Sequence, residues 1–419
     1  MAITIRDIKN YQKIRGNTKI ADVPKPEQKN QNHKKSLLTK LKRGAVIAAV
    51  SSIALISPST STIAPRGDVP FEYAQEIASP PLSKAETGIA VLQQSYDPSS
   101  GLWNDASWWQ DARIFNTIVT YAASTESSRY NWEIRNTFNI NSGSGFVDNY
   151  SDDNGWWSIA WANAYSLTGK KAYLLESEGL FRQMENNWTS SCGGGLVWSR
   201  SSGYKNAISN ELFLKDASIL YIKTGSRYYL SWAKREYGWF LKSGMINKYG
   251  LVNDGLTVSC RNNGGTEWTY NQGELIGALA YFYTATGSQK ALQVAESVAD
   301  SSMKWLSDKG ILSEPACTPA NTCHSGQGLF KGAYIDNLYY LFSITGNAKY
   351  STFILRNAKA VWNRDRNENY QFGFSWNGKQ TYYSIGTEDS GADAEIAANE
   401  VLRQERTATS KQEMLGQKN

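Results

Sequence analysis

Two consecutive carboxylates, Asp152 and Asp153, lie between Tyr150 and the pair Trp156–Trp157. Breaking a glycosidic bond needs this combination. Two carboxyl groups must sit close together, beside flat apolar surface on which a sugar ring can lie. The residues that follow have helical spacing, through Ile159, Ala160, Trp161 and Tyr165, so both aspartates stand near a helix N-terminus. Capping is the ordinary structural use of an Asp there, because the helix dipole and free N–H groups stabilise it. A single cap needs one Asp, however, and two held side by side repel. Repulsion raises the proton affinity of one of them, as an acid catalyst requires. Neighbouring side chains at a helix start put their carboxyls about 5–8 Å apart, which spans both the retaining and the inverting geometries.

Other segments carry groups suited to holding a sugar. Trp108 and Trp109 offer a stacking floor or, equally, core packing. Asn210 and Glu211 begin an apolar helix, where capping is the alternative. Tyr270, Asn271 and Gln272 can bond hydroxyls through phenol and amide groups, although Asn271 also suits a cap. Lys331 faces either a cleft or solvent. Glu274 and Asp336 fall within helical stretches and are not assigned a role, and His324 reads as a loop residue.

The elements that must position these groups repeat. Ala164–Tyr165–Ser166–Leu167–Thr168–Gly169 recurs as variants ending in Thr224–Gly225, Thr286–Gly287 and Thr345–Gly346, at nearly even intervals. Tyr121–Thr125 is a weaker relative. A glycine just past an apolar helix end supplies the left-handed conformation that closes it. A period of about 60 residues fits two helices and their connections per unit. About six helical hairpins from Ala85 onward predict an all-α, (α/α)6 toroid, with an open solenoid as the alternative. Aromatic, glycine-rich connections favour the toroid because they would converge on one mouth. Gly195–Trp198 and Phe372–Trp376 read as short hairpin arms.

Composition narrows the partners. Aromatic residues make up 12% of the chain, with 15 Trp and 24 Tyr, more than a core requires. The net charge is +6, but the basic excess lies in residues 1–66, which leaves the remainder slightly acidic. Such a domain lacks the electrostatic footprint of a nucleic-acid binder. Residues 1–32 are polar and aperiodic, which reads as disorder. Lysine-rich residues then precede the apolar run Gly44–Ile56, the order of a secretory signal. The run is short for a membrane span, which needs about 20 residues, and its long basic flank leaves an uncleaved signal anchor as the alternative. Residues 67–84 are a linker and 85–419 the helical domain. The domain is expected to be monomeric, secreted or anchored at the cell surface or on a secretory membrane.

An oxidising compartment suits the four cysteines. Cys317 and Cys323 flank a short loop, which favours a local disulfide and leaves Cys192 to Cys260. Asn149–Tyr150–Ser151 and Asn187–Trp188–Thr189 are glycosylation sequons.

Asp152–Asp153–Asn154–Gly155–Trp156–Trp157, followed by Ala160–Trp161 and Leu167–Thr168–Gly169, resembles the signature of glycoside hydrolase family 76, the endo-α-1,6-mannanases and related fungal wall enzymes. Further blocks are similar in order: Gly101–Trp103 with Trp108–Trp109, Cys192–Trp198 with Tyr204–Leu214, Trp268–Gly273, and Phe330–Gly332. The resemblance runs from about Ser83 to Leu402. It implies an (α/α)6 barrel and retaining cleavage of α-1,6-linked mannan without metal or cofactor. Asp152 would be the nucleophile and Asp153 the acid/base. Gly155 stands where the family commonly has a bulkier residue such as Ala, a change expected to disturb the pair little. The polar stretch Arg403–Asn419 lacks the GPI signal that some fungal members carry. A transglycosidase acting on wall or GPI-anchor glycans, a non-catalytic glycan-binding protein and a helical scaffold for protein partners are the competing readings.

Overall fold

The computed structural model describes residues 83–416, apart from 318–322, 324 and 380. The basic N-terminal segment, the apolar run Gly44–Ile56, most of the linker and His324 lie outside these residues. No helix among the described residues is long and apolar enough to cross a membrane.

The described residues form twelve helices of ten residues or more: α1 (Lys84–Gln93), α2 (Trp108–Thr125), α3 (Asn131–Asn141), α4 (Ser151–Thr168), α5 (Lys171–Glu185), α6 (Ala207–Thr224), α7 (Arg227–Ser243), α8 (Thr269–Thr286), α9 (Gln289–Trp305), α10 (Phe330–Thr345), α11 (Ala348–Ala360) and α12 (Ile385–Gly416). Even-numbered helices form an inner ring. Each packs against the next, and α12 returns to α2. Odd-numbered helices lie outside, with α1 completing the sixth pair against α12. The predicted toroid is therefore present, and the ring is closed.

Inner and outer helices differ in pattern because they differ in surroundings. Every residue of α6 from Ala207 to Leu220 is buried, since such a helix meets protein on all sides. On α9 the buried residues are Ala291, Ala295, Val298, Ala299 and Ser302, the single stripe of an amphipathic helix.

The Thr-Gly phrases close four inner helices in one way. Gly169, Gly225, Gly287 and Gly346 have φ of 71°, 69°, 76° and 65°. Each donates its N–H to the carbonyl four residues back, at 2.7–2.8 Å. The preceding threonine donates its hydroxyl to the carbonyl four residues before it and accepts the N–H two residues after. The weaker relative ends at Glu126, which adopts the same left-handed conformation at φ 56° without glycine.

Regular strands are shorter than the sequence suggested. Among the described residues they are confined to Tyr96–Asp97 with Leu102–Trp103 and Ser307–Asp308 with Ile311–Leu312. The segments at 195–198 and 372–376 contribute isolated bridges, Leu196 with Trp188 and Gly373 with Tyr383. Their backbone groups are instead taken up by helix side chains, as described below.

Candidate active site

The heads of the inner helices share one mouth, and Asp152 and Asp153 stand at the head of α4. Neither is the N-cap, which is Tyr150 and makes no side-chain cap. Asn154 organises this turn. Its amide donates to the carbonyls of Asp148 and Tyr150 at 2.9 and 2.8 Å, and its side-chain oxygen accepts the Asp148 N–H at 2.9 Å. Ser151 ties the turn to the 197–198 segment, Oγ to the Val197 carbonyl at 2.7 Å and N–H to the Trp198 carbonyl at 2.8 Å. Neither aspartate serves as the N-cap, although Asp152 Oδ1 accepts the Asp153 N–H at 3.3 Å.

Their environments differ. Burial pushes the Asp152 carboxyl up to about 7, opposed by backbone N–H groups at the helix start, the Trp198 indole and the Asn206 amide. The Asn206 Nδ2 lies 3.5 Å from Oδ2. Burial and the nearby charges of Asp152 and Asp148 push Asp153 up to about 8, with no donor opposing them. Asp152 is the member of the pair with donors that favour its anion, and Asp153 the member without them.

Asp111, Asn154, Asn210, Gln272 and Lys331 each precede a closing threonine by the same interval, the threonines being Thr125, Thr168, Thr224, Thr286 and Thr345. All five polar side chains bond the backbone of a connecting segment. Asp111 accepts the Trp103 N–H at 2.8 Å. Asn210 bonds both polar backbone groups of Leu196, at 2.7 and 3.2 Å. Gln272 does the same to Val252 at 2.8 and 2.9 Å. Lys331 donates to the Phe374 carbonyl and lies 4.3 Å from the Trp376 ring centroid. Three expected sugar ligands, Asn210, Gln272 and Lys331, therefore occupy the position that pins the mouth's connecting segments to the ring. A buried polar group bonded to backbone has little left to offer a ligand.

The next position faces the seam between neighbouring inner helices. A Cβ on Gly155 would lie 2.9 Å from Leu212 Cβ and from Met184 Cε, and one on Gly273 would lie 2.4 Å from Tyr334 Cα. Close packing thus leaves little space for a Cβ at 155, one turn into the helix that carries the aspartates. Glu211 holds the same position in α6. It is fully buried, and neither carboxylate oxygen has a hydrogen-bond partner. Burial, with the charges of Glu274 and Asp254, holds its carboxyl well above the usual range. Asn271 is also fully buried with both amide atoms unpartnered.

Aromatic side chains complete the mouth. Tyr270 stacks on Phe330 with centroids 3.9 Å apart, and Phe330 adjoins Trp268 and Trp109 at 5.5 and 6.4 Å. Trp109 also meets Trp156, which Arg113 approaches from below at 5.4 Å. Trp108 turns away from this group and packs with Trp157 and Phe146 at 5.0 and 5.8 Å. Deeper in the ring, Arg113 pairs with Asp336 and Asp393 at 3.1 and 2.6 Å, and Lys215 with Glu274 at 2.8 Å. These pairs account for the helical Glu274 and Asp336 as interior ion-pair partners.

Disulfides Cys192–Cys260 and Cys317–Cys323 are both formed. The first joins the segments that follow α5 and α7. Among the described residues no group of three His, Cys, Asp or Glu side chains is placed to hold a metal ion. Asn149 is exposed. Asn187 is buried and its amide is spent on Ser151 Oγ at 2.9 Å, so the folded chain has no room for a glycan there. Trp198 and Asn206, the side-chain donors to Asp152, had no assigned role in the sequence. The signal that could have found the pinning residues is their common register before the threonines, which the sequence itself contains.

The sequence model of Glycosyl hydrolase family 76 matches residues 85–414. Mannan endo-1,6-alpha-mannosidase DCW1 of Saccharomyces cerevisiae is 28% identical over 264 residues, 57% of this chain and 59% of that protein. Putative mannan endo-1,6-alpha-mannosidase C970.02 of Schizosaccharomyces pombe is 30% identical over 249 residues, 54% and 56% of the two chains. The chain thus matches less than two thirds of the length of these relatives. Among solved structures, the GH76A alpha-1,6-mannanase of Salegentibacter sp. HEL1_6 superposes with a TM-score of 0.68 at 23% identity, covering 76% of this chain and 98% of that one. An inactive variant of that mannanase, with two consecutive aspartates changed to asparagine, is known in complex with alpha-1,6-mannotriose. Dfg5 from Chaetomium thermophilum, in complex with glucosamine, gives a TM-score of 0.69 at 19% identity, covering 80% and 92%.

Proposed function

The chain belongs to glycosyl hydrolase family 76, and from that membership we propose that it is an endo-acting, retaining glycoside hydrolase that cleaves α-1,6-mannosidic bonds. The observation that carries the reading is the unequal support of the two aspartates. Asp152 receives donors that favour its anion, whereas Asp153 receives none and feels two negative neighbours. In the first step an Asp152 carboxylate oxygen bonds the anomeric carbon, the glycosidic C–O bond breaks, and Asp153 delivers its proton to the departing oxygen. In the second step Asp153, now a carboxylate, takes a proton from water. The water oxygen bonds the anomeric carbon and Asp152 is released. Trp109 and Tyr270, the latter backed by the buried Phe330, give the sugar its flat surfaces.

The curated relatives named as mannan endo-1,6-alpha-mannosidases support α-1,6-mannan as substrate, as does the mannotriose complex of the structural neighbour. The active form carries one proton on the pair. Its kcat/KM against linear α-1,6-mannan is therefore bell-shaped, with an acid limb near 7 and an alkaline limb near 8. The test is turnover of that mannan by the parent and by Asp152→Asn at neutral pH. Unchanged turnover in the variant would sink the catalytic reading in favour of simple glycan binding. Adding acceptor oligosaccharides to the same assay distinguishes water from sugar as acceptor, since transfer yields products longer than the acceptor.

A further inference from the structure

Away from the mouth, a cavity of about 750 Å³ opens where two tight turns, at Lys309–Gly310 and Gly378–Lys379, meet the end of α11. Five cations line it, Lys309, Arg356, Lys359, Arg364 and Lys379, against one carboxylate, Asp308. All five are exposed. The ion pairs found among the described residues use none of them.

The backbone brings these charges together. Gly310 and Gly378 have φ of +78° and +80°. A Cβ on Gly310 would lie 2.4 Å from Arg356 Nη1, and one on Gly378 would lie 2.7 Å from the Arg364 carbonyl. Arg356 also donates to the Lys309 carbonyl at 3.4 Å. The helix dipole accounts for Lys359 and Arg364, since cations are favourable at the end of α11. It does not account for Lys309 and Lys379, which arrive on two other segments. Like charges gathered in a concavity repel one another and focus a field that attracts anions.

The groove leads toward the mouth. Asn377 and Lys379 also line a second cavity of about 590 Å³, walled by Trp376, Phe374 and Glu314. Glu314 accepts the Thr269 N–H at 3.0 Å, at the head of α8 and next to Tyr270. A chain leaving the mouth on this side passes an aromatic wall and then reaches the cations.

We propose that the basic groove is a subsite for phosphate groups carried on the glycan whose chain occupies the mouth. The inference rests on reading the mouth as a glycan-cleaving site. A neutral mannan can accept hydrogen bonds from these side chains but gains no charge attraction, whereas a phosphorylated one gains an attraction at each substituent within reach. An acidic membrane is the competing anionic partner. The groove is concave, and none of the exposed large apolar side chains among the described residues lines it, so it lacks what a bilayer surface would engage.

The test is calorimetric binding of linear α-1,6-mannan, with and without phosphate monoesters, to the full chain and to its K309Q/K359Q/K379Q variant. The parent is expected to bind the phosphorylated polymer about tenfold more tightly at low salt, through several exposed charge contacts. The preference should fall at about 0.5 M salt. In the variant it should vanish while neutral-mannan affinity and melting temperature stay unchanged. Equal affinity for the two polymers in the parent, or a preference that survives in the variant, overturns the proposal. Loss of phosphatidylserine-vesicle binding in the variant, with no preference between polymers, overturns it in favour of a membrane surface. If the parent prefers the phosphorylated polymer yet cleaves neither, the catalytic reading fails and the groove stands.

Discussion

The two ends of the inner helices are built on opposite terms. At the closing ends, glycine and threonine satisfy the last carbonyls in one repeated way. At the heads, Asp152 and Asp153 are pushed toward neutral pH, while Glu211 and Asn271 are buried without partners. An unpartnered buried polar group costs about 1–3 kcal/mol, so the mouth is maintained against folding stability. The closed ring, the ion pairs inside it and the capped far ends hold it in place. The difference teaches which residues to assign to chemistry. Polar groups at the heads divide into those spent on the connecting segments and those not so spent, and the proposed site is drawn from the second group.

That division can be attacked from either end. Asp152→Asn should have the largest effect, lowering turnover of α-1,6-mannan about 10³-fold or more by removing the nucleophile while leaving the fold intact. Glu211→Gln should change stability in a pH-dependent way. A carboxyl held high in the folded state binds its proton there after the unfolded chain has lost it, so the parent loses stability as pH rises above the ordinary Glu value. The variant lacks this loss. Its melting temperature should match the parent's near pH 4 and exceed it by roughly a few degrees at pH 8. A gap that does not widen with pH would mean that Glu211 has a partner after all. Trp109→Ala should raise KM about tenfold with little change in kcat, the scale of one lost aromatic contact. An equal fall in kcat would assign Trp109 to the reacting ring instead. Gly225→Ala, where a Cβ meets nothing within 4 Å, should cost about 1 kcal/mol through its φ of +69°. Calorimetry should register that cost while kcat/KM stays level. A kinetic change would show that the two ends are coupled.

The ring was legible because its signals are local. Thr-Gly caps state where each inner helix stops, and their even spacing counts the hairpins. Asp152 and Asp153 were legible because a paired carboxylate among aromatics has few structural uses. The division of labour around them was not, since Asn210 and Asn271 are the same residue type near the heads of successive inner helices. One is bonded to Leu196 and the other to nothing. That difference depends on where the connecting segments run, and those follow long-range contacts. The basic groove was hidden for a related reason: summed charge describes the whole domain as slightly acidic, while three separate segments bring five cations to one place.

The stereochemistry of the first bond broken tests the central claim most directly. The protein is mixed with linear α-1,6-mannan, and proton NMR follows the new reducing ends before mutarotation. If Asp152 forms a covalent bond that water then replaces, two inversions leave the α-anomer, which should appear first. Initial release of the β-anomer would mean that water attacks directly, and it would remove Asp152 from the role of nucleophile.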